Sequence, residues 1–359
     1  MAELLKEAYN KAYISRLARD LVRVYPKFSS SAFSKSVFNG EWDALELKGR
    51  MRHITESLRA HLPEKYSEAL GLLLKVAPEY GGFEGMFFPD FVEVYGMADK
   101  DWKRSIDALE KLTCYSSSEF AVRPFIISDS KMMMAKMLEW SKSKNEHHRR
   151  LASEGCRPRL PWACALPEFK LDPTAILPIL ENLKGDSSLY VRRSVANNLN
   201  DIAKDNPEVT LALGKKWYGK NADTDWLVKH AHRTLLKAGH PKALSLFGLK
   251  TPVGLKTSRI AVDKSTVKMG DELNFKFDFS VKKNSKIRLE YAIYFLRANG
   301  SHSEKLFKIT ERKFEPGTSR FKKRHSFRKI STRTYYPGMQ YISFYINGKE
   351  FAKRKFELV

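Results

Sequence analysis

The sequence predicts a mainly α-helical chain that ends in a small β-sandwich, and three observations lead to this prediction. Apolar residues recur at steps of three and four through roughly the first 250 positions, the spacing of helices that bury one face. The last hundred or so positions alternate apolar and polar side chains, as strands do. The length of 359 residues accommodates two domains of ordinary size.

The helical part begins close to the N-terminus. Apolar residues recur at helical steps from Leu5 to Leu21, and the same spacing returns in 42–62 and in 64–76. Prolines such as Pro63 fall between these stretches, where helices end or begin. We therefore assign residues 1–250 to one helical domain.

Three segments of the helical domain resemble one another. They surround Arg149, Arg192 and Lys229, which are separated by 43 and 37 residues. A period near 40 residues in an all-helical chain is typical of HEAT-like helical pairs that stack into an α-solenoid. The basic residue of each segment either belongs to a ladder that binds phosphates or braces the neighbouring repeat. For any single residue the two interpretations are equally open, but the ladder as a whole, in a chain of net charge +23, favours phosphate contacts.

The C-terminal part changes period after a polar connector, 251–258. From residue 259 to residue 359, alternating stretches such as Leu273–Phe279 and Ile287–Phe295 are separated by turn pairs such as Asn347-Gly348. Several short strands at this spacing predict an immunoglobulin-like β-sandwich, although the paired cysteines of antibody domains are missing.

Positive charge is concentrated in this β domain. The whole chain has 64 Lys and Arg against 41 Asp and Glu, a net charge of +23. From Lys256 onward there are 25 basic and 10 acidic residues, so the β domain carries 15 of those charges. The densest cluster includes Lys322, Lys323 and Arg324. Such density favours a nucleic-acid partner over a merely solvated surface, because unneutralised like charges destabilise a compact domain.

Several functional classes are not supported by any motif. The sequence has no apolar run of about 18 residues, no signal-peptide core and only three cysteines. CxxC, HExxH, P-loop and GxGxxG patterns are also missing. We therefore expect a monomeric cytoplasmic protein that uses no membrane, metal or cofactor.

One short segment gathers residue types that carry chemistry. ASEGCRPRLPW (152–162) places Glu154, Arg157, Arg159 and Trp162 within nine residues and includes two prolines, which restrict a loop at low entropic cost. Glu119 follows three serines at a predicted helix start, and Asp201 lies in the second repeat. Taken alone, Glu119 is explained by the helix dipole and Asp201 by a salt bridge to the next repeat.

Together these motifs resemble a known enzyme family. SEFAVRPF (118–125), ASEGCRPRLPW (152–162), VRRSVANNLNDIAKDNP (191–207) and WLVKHA (226–231) are similar to the HEAT-repeat DNA glycosylases of alkylation damage. The resemblance covers about residues 80–248 and is closer to the AlkC branch than to the AlkD branch. An appended immunoglobulin-like domain also fits AlkC-type enzymes.

The resemblance implies a monofunctional glycosylase that removes cationic methylated bases from double-stranded DNA. The implied substrate is chiefly 3-methylcytosine, with 1-methyladenine and 3-methyladenine as lesser candidates, without flipping of the base into a deep pocket. The implied active-site residues are Glu119, Glu154, Asp201 and Trp162. In this scheme Glu154 and Asp201 stabilise a sugar cation and hold water, Glu119 shapes the site, and Trp162 stacks on the lesion.

We further expect basic side chains to contact DNA phosphates. The residues assigned to this role are Arg157, Arg159, Arg192, Arg193, Lys229, Lys322, Lys323 and Arg324. Two alternatives remain open. One is a non-catalytic HEAT-repeat protein that binds damaged or bent DNA, and the other is a scaffold for protein interactions, since fold alone does not determine function.

Overall fold

The computed structural model describes residues 5–330 and 333–359. It divides into two compact units. One contains the described residues up to Thr210 together with Tyr218–Ala231, and the other contains Leu211–Trp217 and His232–Val359. The first unit is helical, whereas the second combines short helices with two β-sheets. Among the described residues, no helix is long and apolar enough to span a bilayer.

Some of the helices begin at a side-chain cap. In α1 the Asn10 side chain accepts a hydrogen bond from the Tyr13 amide (3.0 Å), and in α9 Asn145 accepts one from the His147 amide (2.9 Å). The α-helices, in chain order, are α1 Lys11–Val24, α2 Ser30–Val37, α3 Leu47–His61, α4 Tyr66–Val76, α5 Phe87–Tyr95, α6 Trp102–Leu112, α7 Val122–Ser128, α8 Ser130–Trp140, α9 Glu146–Glu154, α10 Pro167–Leu171, α11 Leu177–Leu183, α12 Leu189–Asp205, α13 Pro207–Trp217, α14 Ala222–Ala231, α15 Arg233–Lys237 and α16 Pro241–Leu246.

The three similar segments lie on helices that pack in succession. Helix α9 packs against α12, and α12 packs against α14. Arg149 and Arg192 each occupy the fourth position of their helix, whereas Lys229 is the eighth residue of α14. The sequence repeat therefore corresponds to consecutive packed helices, with its third member offset by about one helical turn.

Two β-sheets form the C-terminal sandwich. The strands are β1 Lys256–Thr257, β2 Ala261–Val262, β3 Thr266–Val267, β4 Glu272–Val281, β5 Ser285–Leu296, β6 His302–Phe314, β7 Gly317–Ser326, β8 Gly338–Ile346 and β9 Lys349–Leu358. One sheet has the order β1-β4-β2, with β7 also paired to β4, and the other has the order β3-β9-β8-β5-β6. Pairing is antiparallel except between β3 and β9.

The strand alternation predicted from the sequence builds the core between the sheets. On β4 the residues Leu273, Phe275, Phe277 and Phe279 are all buried, and their polar neighbours point away. The Phe277 ring stacks on Phe344 of the other sheet with a centroid distance of 4.2 Å. Burying each such side chain contributes roughly 1.5–3 kcal/mol, so this strand anchors the sandwich.

The predicted connector is partly structured. Near its end, Lys256 and Thr257 form β1 and pair with Ser280 and Phe279 of β4. The sheet therefore begins a few residues earlier than position 259. A two-residue strand gives no periodic signal, because period two is recognised only over about four residues or more.

The sandwich also packs on short helices of its own unit. The Asn347 side chain donates a hydrogen bond to the Lys250 carbonyl oxygen (2.6 Å). Nearby, Gly239 has a φ of +69°, and a Cβ there would lie 2.9 Å from the Gly348 carbonyl oxygen. Glycine is required because a side chain would collide with the opposing backbone. The β8–β9 turn is thus seated on the turn that separates α15 from α16.

Candidate active site

Three carboxylates lie together and are joined by two arginines. The Arg150 guanidinium donates to Glu119 and lies 3.5 Å from Glu154, measured from Nη2 to Oε1. Arg157 bridges the next pair, with Nη1 2.6 Å from Glu154 Oε1 and Nε 2.9 Å from Asp201 Oδ2. We call Glu119, Glu154 and Asp201 the carboxylate cluster.

Helical spacing explains the approach of Arg150 to Glu154, and a turn after the helix brings Arg157 back to Glu154. Glu154 is the last residue of α9, Arg150 lies four residues before it, and Arg157 follows three residues after it. Residues three or four apart share one face of a helix. Asp201 comes from α12, which packs against α9, and Glu119 lies in the turn before α7. Three separate segments therefore meet at the end of α9.

The carboxylates differ in which oxygens the protein engages. Both arginines contact Glu154 through Oε1, and the contacts to Glu119 are made through Oε2. Asp201 instead uses both oxygens, because Arg157 contacts Oδ2 and the Lys204 ammonium lies 3.1 Å from Oδ1. Among the described residues, no hydrogen bond or ion pair engages the second oxygen of Glu154 or of Glu119, whereas Asp201 is held on both sides.

The centre of the cluster is buried. Glu154, Asp201 and Arg157 are 5%, 1% and 7% exposed. Burial lowers the pKa of Arg157, but the charges of Glu154 and Asp201 outweigh this effect and raise that pKa above its ordinary value. Arg157 therefore remains a cation. Arg150, Arg157 and Lys204 balance the three carboxylates, so the cluster is a neutralised ion-pair network in a basic protein.

Trp162 lies in the loop that follows Glu154 and is unusual in two respects. Its side chain is 66% exposed, and its φ of +64° is in the left-handed region that bulky residues rarely adopt. Its carbonyl oxygen accepts a hydrogen bond from Lys48 Nζ (2.6 Å), and the same ammonium lies 4.7 Å from the centre of the Phe120 ring. Phe120 follows Glu119 in the chain, so Lys48 links the Trp162 loop to the carboxylate cluster.

The sequence interpretation did not assign Lys48, Arg150 or Tyr190 to the active site. The Tyr190 ring lies 5.1 Å from the Arg150 guanidinium carbon, and burial raises the pKa of Tyr190. The spacing of Arg150 and Glu154, four residues apart on one helix, is a signal that could have identified Arg150.

Two arginines predicted to bind phosphates are instead buried within the protein. Arg157 is enclosed by the carboxylate cluster. Arg192 is 8% exposed, and it donates to the Asp186 carbonyl oxygen (2.7 Å) and contacts Asp223 (2.9 Å). Arg149 makes a similar contact with the Asp186 carboxylate (2.6 Å). These arginines brace successive repeats, which is the other interpretation that the sequence left open.

Other predicted phosphate-binding residues of the helical unit lie nearer the surface. Arg193 is exposed on α12, and Lys229 is half-buried on α14. Arg159 forms a two-point contact with Asp205, at 2.8 and 2.6 Å, and its side chain is 38% exposed. The assignment of Arg193, Arg159 and Lys229 to DNA phosphates stays a prediction.

The basic cluster of the β domain lies on β7. Lys322, Lys323 and Arg324 are all exposed, and Lys322 is directly opposite Lys276 of β4. Like charges at facing positions destabilise a sheet unless an anion neutralises them. These residues line a cleft of about 740 Å³. Arg324 also lies 3.3 Å from Glu272, which offsets only part of the positive charge.

Within residues 5–330 and 333–359, no group of three or more His, Cys, Asp or Glu side chains is arranged to hold a metal ion. The acidic residues of the carboxylate cluster are separated by arginines instead. Their geometry suits the stabilisation of a transient positive charge, because preorganised ionised groups act without reorganisation when that charge develops.

Comparisons with known proteins agree with this architecture. Residues 256–359 match the family described as "Uncharacterised protein YhaZ, C-terminal Ig-like domain". The chain is 46% identical over 346 residues to the uncharacterized protein YhaZ of Bacillus subtilis (strain 168), with 96% of each chain covered. A solved structure of Pseudomonas fluorescens alkylpurine DNA glycosylase AlkC, bound to DNA containing an abasic site analog, matches with a TM-score of 0.95. That match has 37% identity and covers 99% of this chain and 100% of the other. The predicted fold class, a HEAT-like helical region followed by an immunoglobulin-like sandwich, is therefore confirmed, and the chain belongs to the AlkC family.

Proposed function

We propose that this protein is a monofunctional DNA glycosylase that hydrolyses the N-glycosidic bond of alkylated bases in double-stranded DNA. The observation that carries the proposal is the carboxylate cluster, in which Glu119, Glu154 and Asp201 are joined by arginines. The exposed Trp162 lies in the loop that follows Glu154. The full-length similarity to an alkylpurine DNA glycosylase supports the same activity.

The proposed chemistry starts from the charge of the lesion. Methylation at a ring nitrogen makes the base cationic, so it leaves with the electrons of the bond to the deoxyribose. The sugar then becomes an oxocarbenium-like cation, which nearby carboxylates stabilise, as in glycoside hydrolysis. Water adds to the sugar carbon and loses a proton. Unmodified bases leave poorly, which contributes to selectivity for damage.

Glu154 is the residue best suited to face the sugar. Its Oε1 is held by Arg157 and lies near Arg150, which leaves Oε2 for the cation or for the attacking water. Asp201 stabilises the cation through its charge and through its hold on Arg157. Removing one preorganised group of this kind costs about 3–4 kcal/mol of barrier, or roughly 10²- to 10³-fold in rate.

Trp162 is proposed to stack on the lesion nucleotide. Its exposed indole presents a π face, which attracts a cationic base or an electron-poor sugar by about 1–2 kcal/mol. The uncontacted oxygen of Glu154 and this aromatic face are both proposed to favour positively charged bases. The resemblance to AlkC-type enzymes, rather than this geometry, is the basis on which we propose 3-methylcytosine as the chief substrate, with 1-methyladenine and 3-methyladenine as further ones and without deep base flipping.

DNA is proposed to be held by exposed basic side chains, and the enzyme is proposed to act as a monomer in the cytoplasm. In this proposal Arg157 organises the active site and Arg192 braces the repeats, because both are buried in ion pairs. The remaining assignments to phosphates are Arg159, Arg193, Lys229, Lys322, Lys323 and Arg324.

Incubation with defined duplexes tests the function. Each duplex contains one methylated base, and mass spectrometry measures free base after single-turnover incubation. We expect Glu154→Gln to keep the DNA affinity of the wild type and to lose roughly 10²- to 10³-fold in excision rate. Glu110→Gln is the matched control, because Glu110 pairs with Lys136 on α6 and α8, outside the carboxylate cluster.

The outcomes separate the competing interpretations. Salt-sensitive binding by the wild type without release of any base would favour the non-catalytic DNA-binding protein. Equal excision by Glu154→Gln and the wild type would remove Glu154 from catalysis while leaving the enzyme assignment intact.

A further inference from the structure

We propose that Lys48 and Arg123 are positioning residues that hold Trp162 in its exposed, left-handed conformation. The proposal rests on the proposed function, since it assumes that Trp162 meets the lesion. It adds two residues, on α3 and α7, that contact the Trp162 loop rather than the reacting atoms.

The conformation of Trp162 requires external support. A positive φ is unfavourable for a bulky side chain, and exposure of the indole forgoes the stabilisation that burial would bring. Both the backbone preference and the hydrophobicity of tryptophan therefore oppose the exposed, left-handed conformation that is observed. Strained residues of this kind persist only when surrounding contacts fix them, and such residues occur mainly at functional sites.

Lys48 supplies one of these contacts. Its ammonium donates a 2.6 Å hydrogen bond to the Trp162 carbonyl oxygen. The same ammonium lies 4.7 Å from the Phe120 ring centre, within the range of a cation–π contact. A single cation is therefore held by two groups, and it connects the backbone of Trp162 to the segment that carries Glu119.

Arg123 supplies the second set of contacts at the base of the loop. Its side chain is fully buried, and it donates to the carbonyl oxygens of Cys164 (2.7 Å), Gly155 (2.9 Å) and Arg157 (2.8 Å). Burial lowers the pKa of Arg123. Within the described residues its Nη2 atom is buried and has no hydrogen-bond partner.

These contacts of Arg123 indicate a role in geometry. Burying a guanidinium without a carboxylate partner is costly, so a gain in stability is a poor explanation for its presence. Its three acceptors lie at both ends of loop 155–164, which starts directly after Glu154. Arg123 thus ties the two ends of segment 155–164 together, and Lys48 restrains the same segment at Trp162.

A double-mutant cycle tests whether Lys48 acts through the Trp162 indole. Lys48 is exposed, so Lys48→Met is expected to fold normally. We expect a roughly tenfold slower single-turnover excision in Lys48→Met, which corresponds to about 1.4 kcal/mol, and no further loss when it is added to Trp162→Ala. Lys35→Met, an exposed lysine on α2, is the matched control and should behave as the wild type.

Two outcomes of the cycle would overturn the proposal. One is an additive loss in the double variant, which would mean that Lys48 acts independently of the indole. The other is a lower salt dependence of DNA binding in Lys48→Met, which would identify Lys48 as a phosphate contact.

Fluorescence gives a readout that does not depend on activity. The difference in acrylamide quenching between the wild type and Trp162→Phe isolates the signal of Trp162. We expect Lys48→Met and Arg123→Met to change that signal, and Arg123→Lys to restore part of it because a lysine still donates hydrogen bonds. An unchanged signal in Lys48→Met would refute the brace even if Arg123→Met fails to fold.

Measuring excision by the wild type distinguishes failure of the proposed function from failure of the proposed positioning role. If the wild type releases no base, the proposed function is wrong, while the fluorescence result still decides whether Lys48 restrains Trp162.

Discussion

Basic residues have opposite surroundings in the carboxylate cluster and on β7. Arg157 is buried between two carboxylates of different helices. Lys322 and Arg324 are exposed, and Lys322 faces Lys276 across the sheet. The first region neutralises each arginine within the protein, whereas the second leaves positive charge directed to solvent.

This difference shows that net charge does not define a binding surface. A buried ion pair has already lost its water, so its arginine orients neighbouring acids and offers little to a phosphate. An uncompensated exposed cation can release counterions when DNA binds, which is the main source of nucleic-acid affinity. The net charge of +23 includes both buried, paired cations and exposed, unpaired ones.

The largest predicted effect comes from removing the buried ion pairs of Arg157. Arg157→Met leaves Glu154 and Asp201 buried beside an apolar side chain, which should lower the free energy of unfolding by about 3–5 kcal/mol. Urea denaturation followed by circular dichroism measures this change. Arg193→Met, on the exposed face of α12, should stay within about 0.5 kcal/mol of the wild type. Equal stability of both variants would contradict the buried role of Arg157.

A second prediction concerns the inward side of β7. His325 is buried among aromatic rings, and burial, with Arg333 and Lys305 nearby, lowers its pKa to about 4. The unfolded chain therefore binds the proton more readily. The free energy of unfolding should fall as pH drops from about 6.5 to about 4, by up to about 3 kcal/mol, and stay level above about 6.5.

His325→Phe is the variant that measures this effect. Phenylalanine does not titrate. The variant should therefore become more stable relative to the wild type as pH falls from about 6.5 to about 4. Urea denaturation of the full chain at pH 7 and pH 4.5 gives that difference. A difference that is independent of pH would show that His325 does not titrate as inferred.

The smallest predicted effect concerns the exposed side of β7. Removing two charges in Lys322→Gln with Arg324→Gln should reduce the slope of log affinity against log salt by roughly 2. Stability should hold or rise, because the facing cations repel one another. Lys282→Gln with Lys283→Gln, exposed in the β4–β5 turn, is the control of equal charge. Equal slopes in the two double variants would contradict a phosphate contact specific to β7.

The strand content was predictable because alternation persists over long stretches. Leu273–Phe279 repeats apolar and polar residues often enough to fix which face is buried. The connector was assigned less well, since β1 is only two residues long and depends on its partner strand. Pairing between distant segments leaves no local signal.

The candidate active site likewise contains residues that sequence signals identify and residues that only folding brings together. Glu119, Glu154 and Asp201 were identified through motifs shared with a family, and the structure brings them together. The role of Arg150 was missed although its spacing from Glu154 is helical. Lys48 could not be found this way, because it precedes the region of resemblance and meets Trp162 only through folding.

The close approach of Gly239 to Gly348 has a practical consequence for dissecting this protein. A truncation just before Lys256 would separate the sandwich from the short helices whose backbone it contacts, and would leave Asn347 without the Lys250 carbonyl oxygen. A fragment that starts at His232 keeps both contacts but lacks Leu211–Trp217, which belong to the same unit. Fusion and domain-exchange studies should therefore treat the last two helices and the sandwich as one cassette.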